Sequence, residues 1–221
     1  MKPKVGVLLS GCGVYDGAEV HESVLALLAL DRAGAEAVCH APDIAQKHVV
    51  NHLTGQPAEG ETRNVLVEAA RIGRGKVKSL AGFDPSMLDA LLLPGGFGAA
   101  KNLCDFAFRG ADCEVHPEVA RVVGAVHAAG KPIGALCIAP VLLARLLGSE
   151  NPRVTIGNDP ATASAIEAMG GHHVSCGGGK AVVDEETRIV TTPAYMLDSP
   201  ISEVSAGIEK LVAELLRMAR S

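Results

Sequence analysis

Apolar runs of strand length, "KVGVLLS" (4–10), "LDALLLPGG" (88–96) and "KPIGALC" (131–137), alternate along this chain with segments of helical periodicity. That alternation constrains the fold more than anything else in the sequence. Strands with no polar alternation are buried on both faces, which is the condition of strands in parallel sheets covered by helices. The first run is followed by a helix expected from about Gly17 to Ala33, opened by a capping box of Asp16 and Glu19, and then by a strand at "EAVCHAP" (36–42). A strand-helix-strand unit of this kind implies parallel pairing.

Further helices are expected over 116–130, with Pro117 in the first turn and Gly130 at the C-cap, over 139–148, and within 159–170. A last helix opens at Ser199 and Pro200 and carries Ile208, Leu211, Val212, Leu215 and Leu216 on one face. "RVTIG" (153–157) and "HHVSC" (172–176) flank the 159–170 helix, and "KAVVDEETRIVTTP" (180–193) reads as a hairpin around a charged turn. Residues 43–78, polar in their middle and helical around "TRNVLVEAARI", read as an insertion lying over the sheet. The expected fold is α/β: an open, mostly parallel sheet with helices on both faces and a β-hairpin, in one domain spanning 1–221.

A chain of 221 residues that is 48% hydrophobic can bury one sizeable core. Its formal net charge of -5 and the lack of a Lys/Arg-rich run argue against nucleic acid and anionic membranes as partners, and favour small soluble molecules. No stretch approaches the ~18 apolar residues of a membrane span. The apolar run at the start is only strand length, which argues against a secretory signal. Six cysteines (Cys12, Cys39, Cys104, Cys113, Cys137 and Cys176) lack any CxxC pair and read as reduced thiols, hence a cytoplasmic protein.

Cys137 stands where an apolar strand hands over to an apolar helix. Small residues flank it two positions away on either side, Ala135 and Ala139, and Pro140 suits a first helical turn, the pattern of a nucleophile elbow. The helix dipole is expected to favour its thiolate. Cys39, Cys104, Cys113 and Cys176 read as small core hydrophobes. For an acid/base partner, Glu22 heads the apolar stripe Leu25, Ala26, Ala29 and Ala33, so its carboxyl is expected to be desolvated, raised in pKa and able to share a proton with the thiol; Glu19 is left to capping. Gly95 and Gly96 either form an ordinary tight turn or aim backbone N–H groups at developing oxyanion charge, with Ile138 beside the nucleophile as a further oxyanion and substrate-binding residue.

Two other patterns fall away. Gly11, Gly13 and Gly17 miss the dinucleotide spacing by one residue, and Asp16 and Glu19 would face the phosphates. His172, His173 and Cys176 lie close in sequence, but a strand alternates its faces and no fourth ligand is apparent, so no metal is expected.

Taken together, "SGCGVYDGAEVHE", "NHLTG", "ETRNVLVEAARI", "LLLPGGFGAAKNL", "LCIAP" and "VTTPAYML" closely resemble the isoprenoid-biosynthesis glyoxalase family, also called enhancing-lycopene-biosynthesis or sigma-cross-reacting proteins. That family lies within the class I glutamine-amidotransferase-like superfamily, and the resemblance covers essentially the whole chain. It implies a flavodoxin-like sandwich, an elbow nucleophile at Cys137, a helix glutamate at Glu22 matching "GAExxE", and a glycine-rich turn at Gly95 and Gly96. It further implies a weak, cofactor-independent and glutathione-independent glyoxalase of the hydro-lyase class. Such an enzyme converts a small dicarbonyl, glyoxal or methylglyoxal, to a 2-hydroxy acid, is connected with isoprenoid biosynthesis, and forms a homodimer as the superfamily often does. The protease branch of the superfamily carries a histidine after the nucleophile; Ile138 stands there instead, which weakens a peptidase reading. The alternative of another class is a redox-sensing or ligand-binding protein whose Cys137 is modified rather than turned over. Arg63 and Asn64 read either as residues reaching over the site or as solvated helix residues.

Overall fold

The computed structural model describes residues 2–220. Strand β1 (Lys4–Leu8) leads through helix α1 (Val20–Arg32) to β2 (Glu36–Ala41), which pairs parallel to β1 from Lys4 against Glu36 to Leu8 against His40. An excursion carries the small hairpin β3 (Val50–Asn51) and β4 (Gln56–Pro57); then α2 (Val65–Ile72) crosses back to β5 (Val77–Ser79). Next come β6 (Ala90–Leu93), the short helices α3 (Phe97–Lys101) and α4 (Phe106–Arg109), α5 (Pro117–Ala128), β7 (Ile133–Leu136) and α6 (Pro140–Leu147). The chain closes with β8 (Arg153–Val154), α7 (Pro160–Ala168), β9 (His172–His173), the hairpin β10 (Val182–Asp184) and β11 (Ile189–Thr192), and the long helix α8 (Ile201–Arg220).

Seven strands form one sheet in the order β10-β11-β7-β6-β1-β2-β5, parallel throughout except for β10 against β11. This is the expected α/β, flavodoxin-like architecture with its hairpin. The central strands are apolar without interruption because each serves two cores. Leu91 and Leu93 of β6 pack with Val119, Val122 and Leu142 on one face, while Leu92 between them packs with Ala26, Leu30 and Leu211 on the other. Burying each such leucine contributes about 1.5–3 kcal/mol.

Three details depart from the sequence expectations. Val77–Ser79, read as part of the insertion, is the edge strand of the sheet, pairing with Cys39–Ala41 of β2. An edge strand needs one partner and one half-covered face, so Lys78 can remain exposed and no apolar run announces it. Helix α1 begins at Val20 rather than Gly17, with Glu19 extended at its N-cap and accepting from the Glu22 N–H at 2.6 Å. Asp16 caps nothing; its Oδ2 accepts from the Val50 N–H at 2.7 Å and ties the β3 hairpin down.

Candidate active site

Cys137 directly follows β7, at the carboxyl end of the sheet where open α/β folds gather ligands. Its φ is +58°, a left-handed conformation that costs a side-chain-bearing residue about 1–3 kcal/mol. The turn is held by the Cys137 N–H, which donates to the Thr192 carbonyl at 3.0 Å at the end of β11. Ala135 and Ala139, both fully buried, leave room for the corner, and Pro140 begins α6. The strand-to-helix elbow is therefore present in strained form.

Glu22, fully buried on the first turn of α1, reaches the same corner. Its Oε2 accepts from the Gly95 N–H at 3.0 Å, its Oε1 from the Tyr195 N–H at 3.2 Å, and it hydrogen-bonds the Cys137 thiol. Burial, then the nearby Glu19 charge, push this carboxyl up to about 7, against the downward pull of the Tyr195 amide, the thiol and the Gly95 amide. The thiol is in turn raised well above its ordinary value, first by burial and then by the Glu22 charge, although the Gly96 and Ile138 amides face the sulfur and pull the other way. Below about pH 7 the carboxyl and the thiol each hold a proton; above it the carboxylate stands charged beside a thiol that keeps its own. The expectation that the helix dipole favours the thiolate is thereby reversed in the unliganded site, because desolvation and the adjacent carboxylate outweigh it.

The glycines divide the work. Gly95 spends its amide on Glu22, so of the two only Gly96 faces the sulfur. A Cβ at position 95 would lie 2.4 Å from the Cys137 Cβ and 2.7 Å from Glu22 Oε2, so only glycine lets the backbone pass between nucleophile and acid. Gly96, at φ +91°, is equally confined: a Cβ there would meet the Glu19 nitrogen at 2.4 Å. The Glu19 N–H donates to the Gly95 carbonyl at 3.0 Å and pins this turn to the start of α1.

The sulfur opens onto a cavity of about 300 Å³ with Phe97, Ala100, Phe106, Ile138 and Met196 among its walls. Tyr195 and the aromatic walls were not singled out by sequence reasoning. Parallel pairing of β11 beside β7 brings the segment after Thr192 to the same corner, and "VTTPAYML" was the available signal. The histidines stand elsewhere. His21 Nδ1 lies 3.0 Å from the Tyr195 hydroxyl, His116 caps α5, and His127 pairs with Glu150 at 2.9 Å. Arg63 pairs with Glu61 and Glu68 while Asn64 caps α2, so neither lines the cavity. Among the described residues no cluster of His, Cys, Asp and Glu is arranged to hold a metal ion, and no helix is long and apolar enough to cross a membrane.

No protein-family model matches the chain. The Homo sapiens protein named glutamine amidotransferase-like class 1 domain-containing protein 3, mitochondrial, is 47% identical over 97% of this chain and 83% of its own length. The Rattus norvegicus ES1 protein homolog, mitochondrial, is 45% identical over 98% of this chain and 84% of its own. The crystal structure of an isoprenoid biosynthesis protein with an amidotransferase-like domain from Ehrlichia chaffeensis superposes with a TM-score of 0.89 at 38% identity, covering 97% of this chain and 99% of that one. A DJ-1 superfamily protein from Agrobacterium tumefaciens, at 18% identity and a TM-score of 0.56, shares the fold alone.

The Homo sapiens and Rattus norvegicus relatives, with the Danio rerio ES1 protein, are named as mitochondrial, and this overturns the cytoplasmic expectation. Unpaired thiols indicate a reducing environment, which does not single out one compartment. Identity of this level along nearly the whole chain means that the protein belongs to the ES1 family, the glutamine amidotransferase-like class 1 domain-containing protein 3 group.

Proposed function

We propose that this protein is a glutathione-independent glyoxalase that converts glyoxal to glycolate, with Cys137 as nucleophile and Glu22 as acid/base. The observation that carries the reading is the hydrogen-bonded pair of a fully buried carboxyl, pushed up to about 7, and a thiol at the edge of a cavity. Glu22 takes the thiol proton as sulfur adds to one aldehyde carbon, and the proton passes to the new hydroxyl of a hemithioacetal. The Gly96 and Ile138 amides, already facing the sulfur, are the donors nearest the developing oxygen charge. Glu22 then removes the hydrogen of that carbon, giving an enediolate, and returns it to the neighbouring carbon while the hydroxyl proton of the first carbon passes to the second oxygen. The product is a thioester of the hydroxy acid on Cys137, and one water hydrolyses it to glycolate and free thiol. Glyoxal and water balance glycolic acid, so no oxidant is required.

Modification of Cys137 as a redox sensor has less support. Peroxide sensitivity follows thiolate fraction and exposure, and this thiol is raised in pKa and only 7% exposed. The test is glycolate formation from glyoxal without glutathione by the wild type, Cys137→Ala and Glu22→Gln. Turnover lost in both folded variants supports the mechanism; turnover absent from the wild type, or kept by either variant, rejects it.

A further inference from the structure

We infer that the Cys137 cavity is built for a neutral 2-oxoaldehyde carrying an apolar substituent of about phenyl size, rather than for glyoxal itself. The inference rests on the glyoxalase reading and names the substrate class of that site. Its first support is size. A water's share of liquid volume is about 30 Å³, so glyoxal, with four heavy atoms, displaces at most about 120 Å³, less than half of a 300 Å³ cavity. The rest of that cavity would make no contact with the ligand, and binding energy from remote groups would go unused.

The second support is the character of the walls. Val14 comes from the turn after β1, Phe97 from the start of α3, Phe106 and Ala107 from α4, and Met196 from the segment after β11. Four separate parts of the chain thus converge with apolar groups on one space. Phe97 stands at the rim of this space, 48% exposed.

The third support is charge. Among the described lining residues the polar side chains are Glu19, Thr162, Tyr195 and Cys137, and none is basic. A carboxylate or phosphate on the substrate would face Glu19 without a counter-cation. The ammonium of Lys101 sits 5.0 Å from the centre of the Phe97 ring and donates to the Tyr15 carbonyl at 3.0 Å, outside the lining. In the reaction only the two carbonyl carbons change, R–CO–CHO becoming R–CH(OH)–COO⁻ with the uptake of water and the release of a proton, so R is a spectator that the apolar walls are free to select.

Two measurements test this. The first compares kcat/KM for phenylglyoxal, 4-carboxyphenylglyoxal and glyoxal, read as the 2-hydroxy acid formed, in the wild type and in Phe106→Ser. Phenylglyoxal is expected to exceed both others by about 10- to 100-fold, with the ratio to glyoxal falling in the variant. The second needs no turnover: alkylation of Cys137, followed by peptide mass spectrometry, with N-benzyliodoacetamide and iodoacetate, each normalised to its rate with free cysteine. The neutral aromatic reagent is expected to be favoured by about tenfold or more. Selective alkylation in a protein that turns over no dicarbonyl would sink the glyoxalase reading and leave the cavity preference standing. Unselective alkylation, or glyoxal turned over as well as phenylglyoxal, overturns the inference while leaving the glyoxalase reading intact.

Discussion

Cys137 and Cys104 are both buried thiols, 7% and 4% exposed, and the difference between their surroundings separates the proposed nucleophile from a packed cysteine. Cys104 lies between α3 and α4, its sulfur donating to the Ala99 carbonyl at 3.3 Å and hydrogen-bonded with Cys113, whose own sulfur touches Met169. That bond and burial push the Cys104 thiol upward, and its hydrogen-bond partners are the Ala99 carbonyl and Cys113 rather than a carboxylate; Asp105 acts on it only as a nearby charge. Cys137 is also raised, but it has Glu22 beside it, two amides facing the sulfur, and a wall open to the cavity. Burial by itself makes a thiol inert. Burial beside a desolvated carboxyl makes a proton that can move.

The largest effect that can sharpen this contrast is on stability. The Glu22 carboxyl keeps its proton up to about pH 7 in the folded protein and releases it near 4.5 in the unfolded chain. Between those values the folded state binds the extra proton, so stability is full below about pH 4.5 and declines as pH rises to about 7, by about 3 kcal/mol from this group. Urea unfolding at pH 4.5 and pH 8 reads the slope. Glu22→Gln is expected to flatten it and Cys104→Ala to leave it unchanged; a wild type without the slope breaks the comparison.

Next comes Gly95→Ala, whose new Cβ would press on both Cys137 and Glu22. Displacing the pair by a fraction of an ångström to an ångström is expected to cost about 100-fold in kcat/KM. Overpacking adds about 1–3 kcal/mol of destabilisation, measured by the same unfolding.

Smaller still is Cys104→Ala, expected to lower stability by about 1 kcal/mol for a packed small hydrophobe while leaving glycolate formation within twofold of wild type. A tenfold loss of activity there would make Cys104 part of the machinery. Asn64→Ala, which removes the N-cap of α2 away from the cavity, is expected to cost about 1 kcal/mol and no activity. If turnover fell with it, the excursion would reach the site after all.

What could be read in the sequence follows from which residues carry their environment with them. The central strands could be read because burial on both faces leaves an uninterrupted apolar run, whereas β5 could not, since an edge strand with Lys78 outward looks like a loop. Glu22 stood out as an acid heading an apolar stripe, and Cys137 by its small neighbours. The commitment of the Gly95 amide to Glu22 and the Tyr195 amide on its other oxygen depend on segments meeting across the sheet, which no local pattern encodes. The rise of the thiol was missed for the same reason. A helix N-terminus is visible in sequence, but the desolvation that overrides it belongs to the assembled core.

The hydrogen bond from Tyr195 to Glu22 spans 173 positions of the chain, and the Cys137 corner is closed by Thr192. A ribosome makes the nucleophile, the acid and the glycine turn well before it makes the segment that fixes them in relation to one another. A nascent chain that has exposed Cys137 therefore carries an ordinary thiol. In the proposed mechanism the Glu22 carboxyl is fixed beside that thiol only when β11 docks next to β7, so turnover reports that the segment through Tyr195 has been synthesised and has found its place.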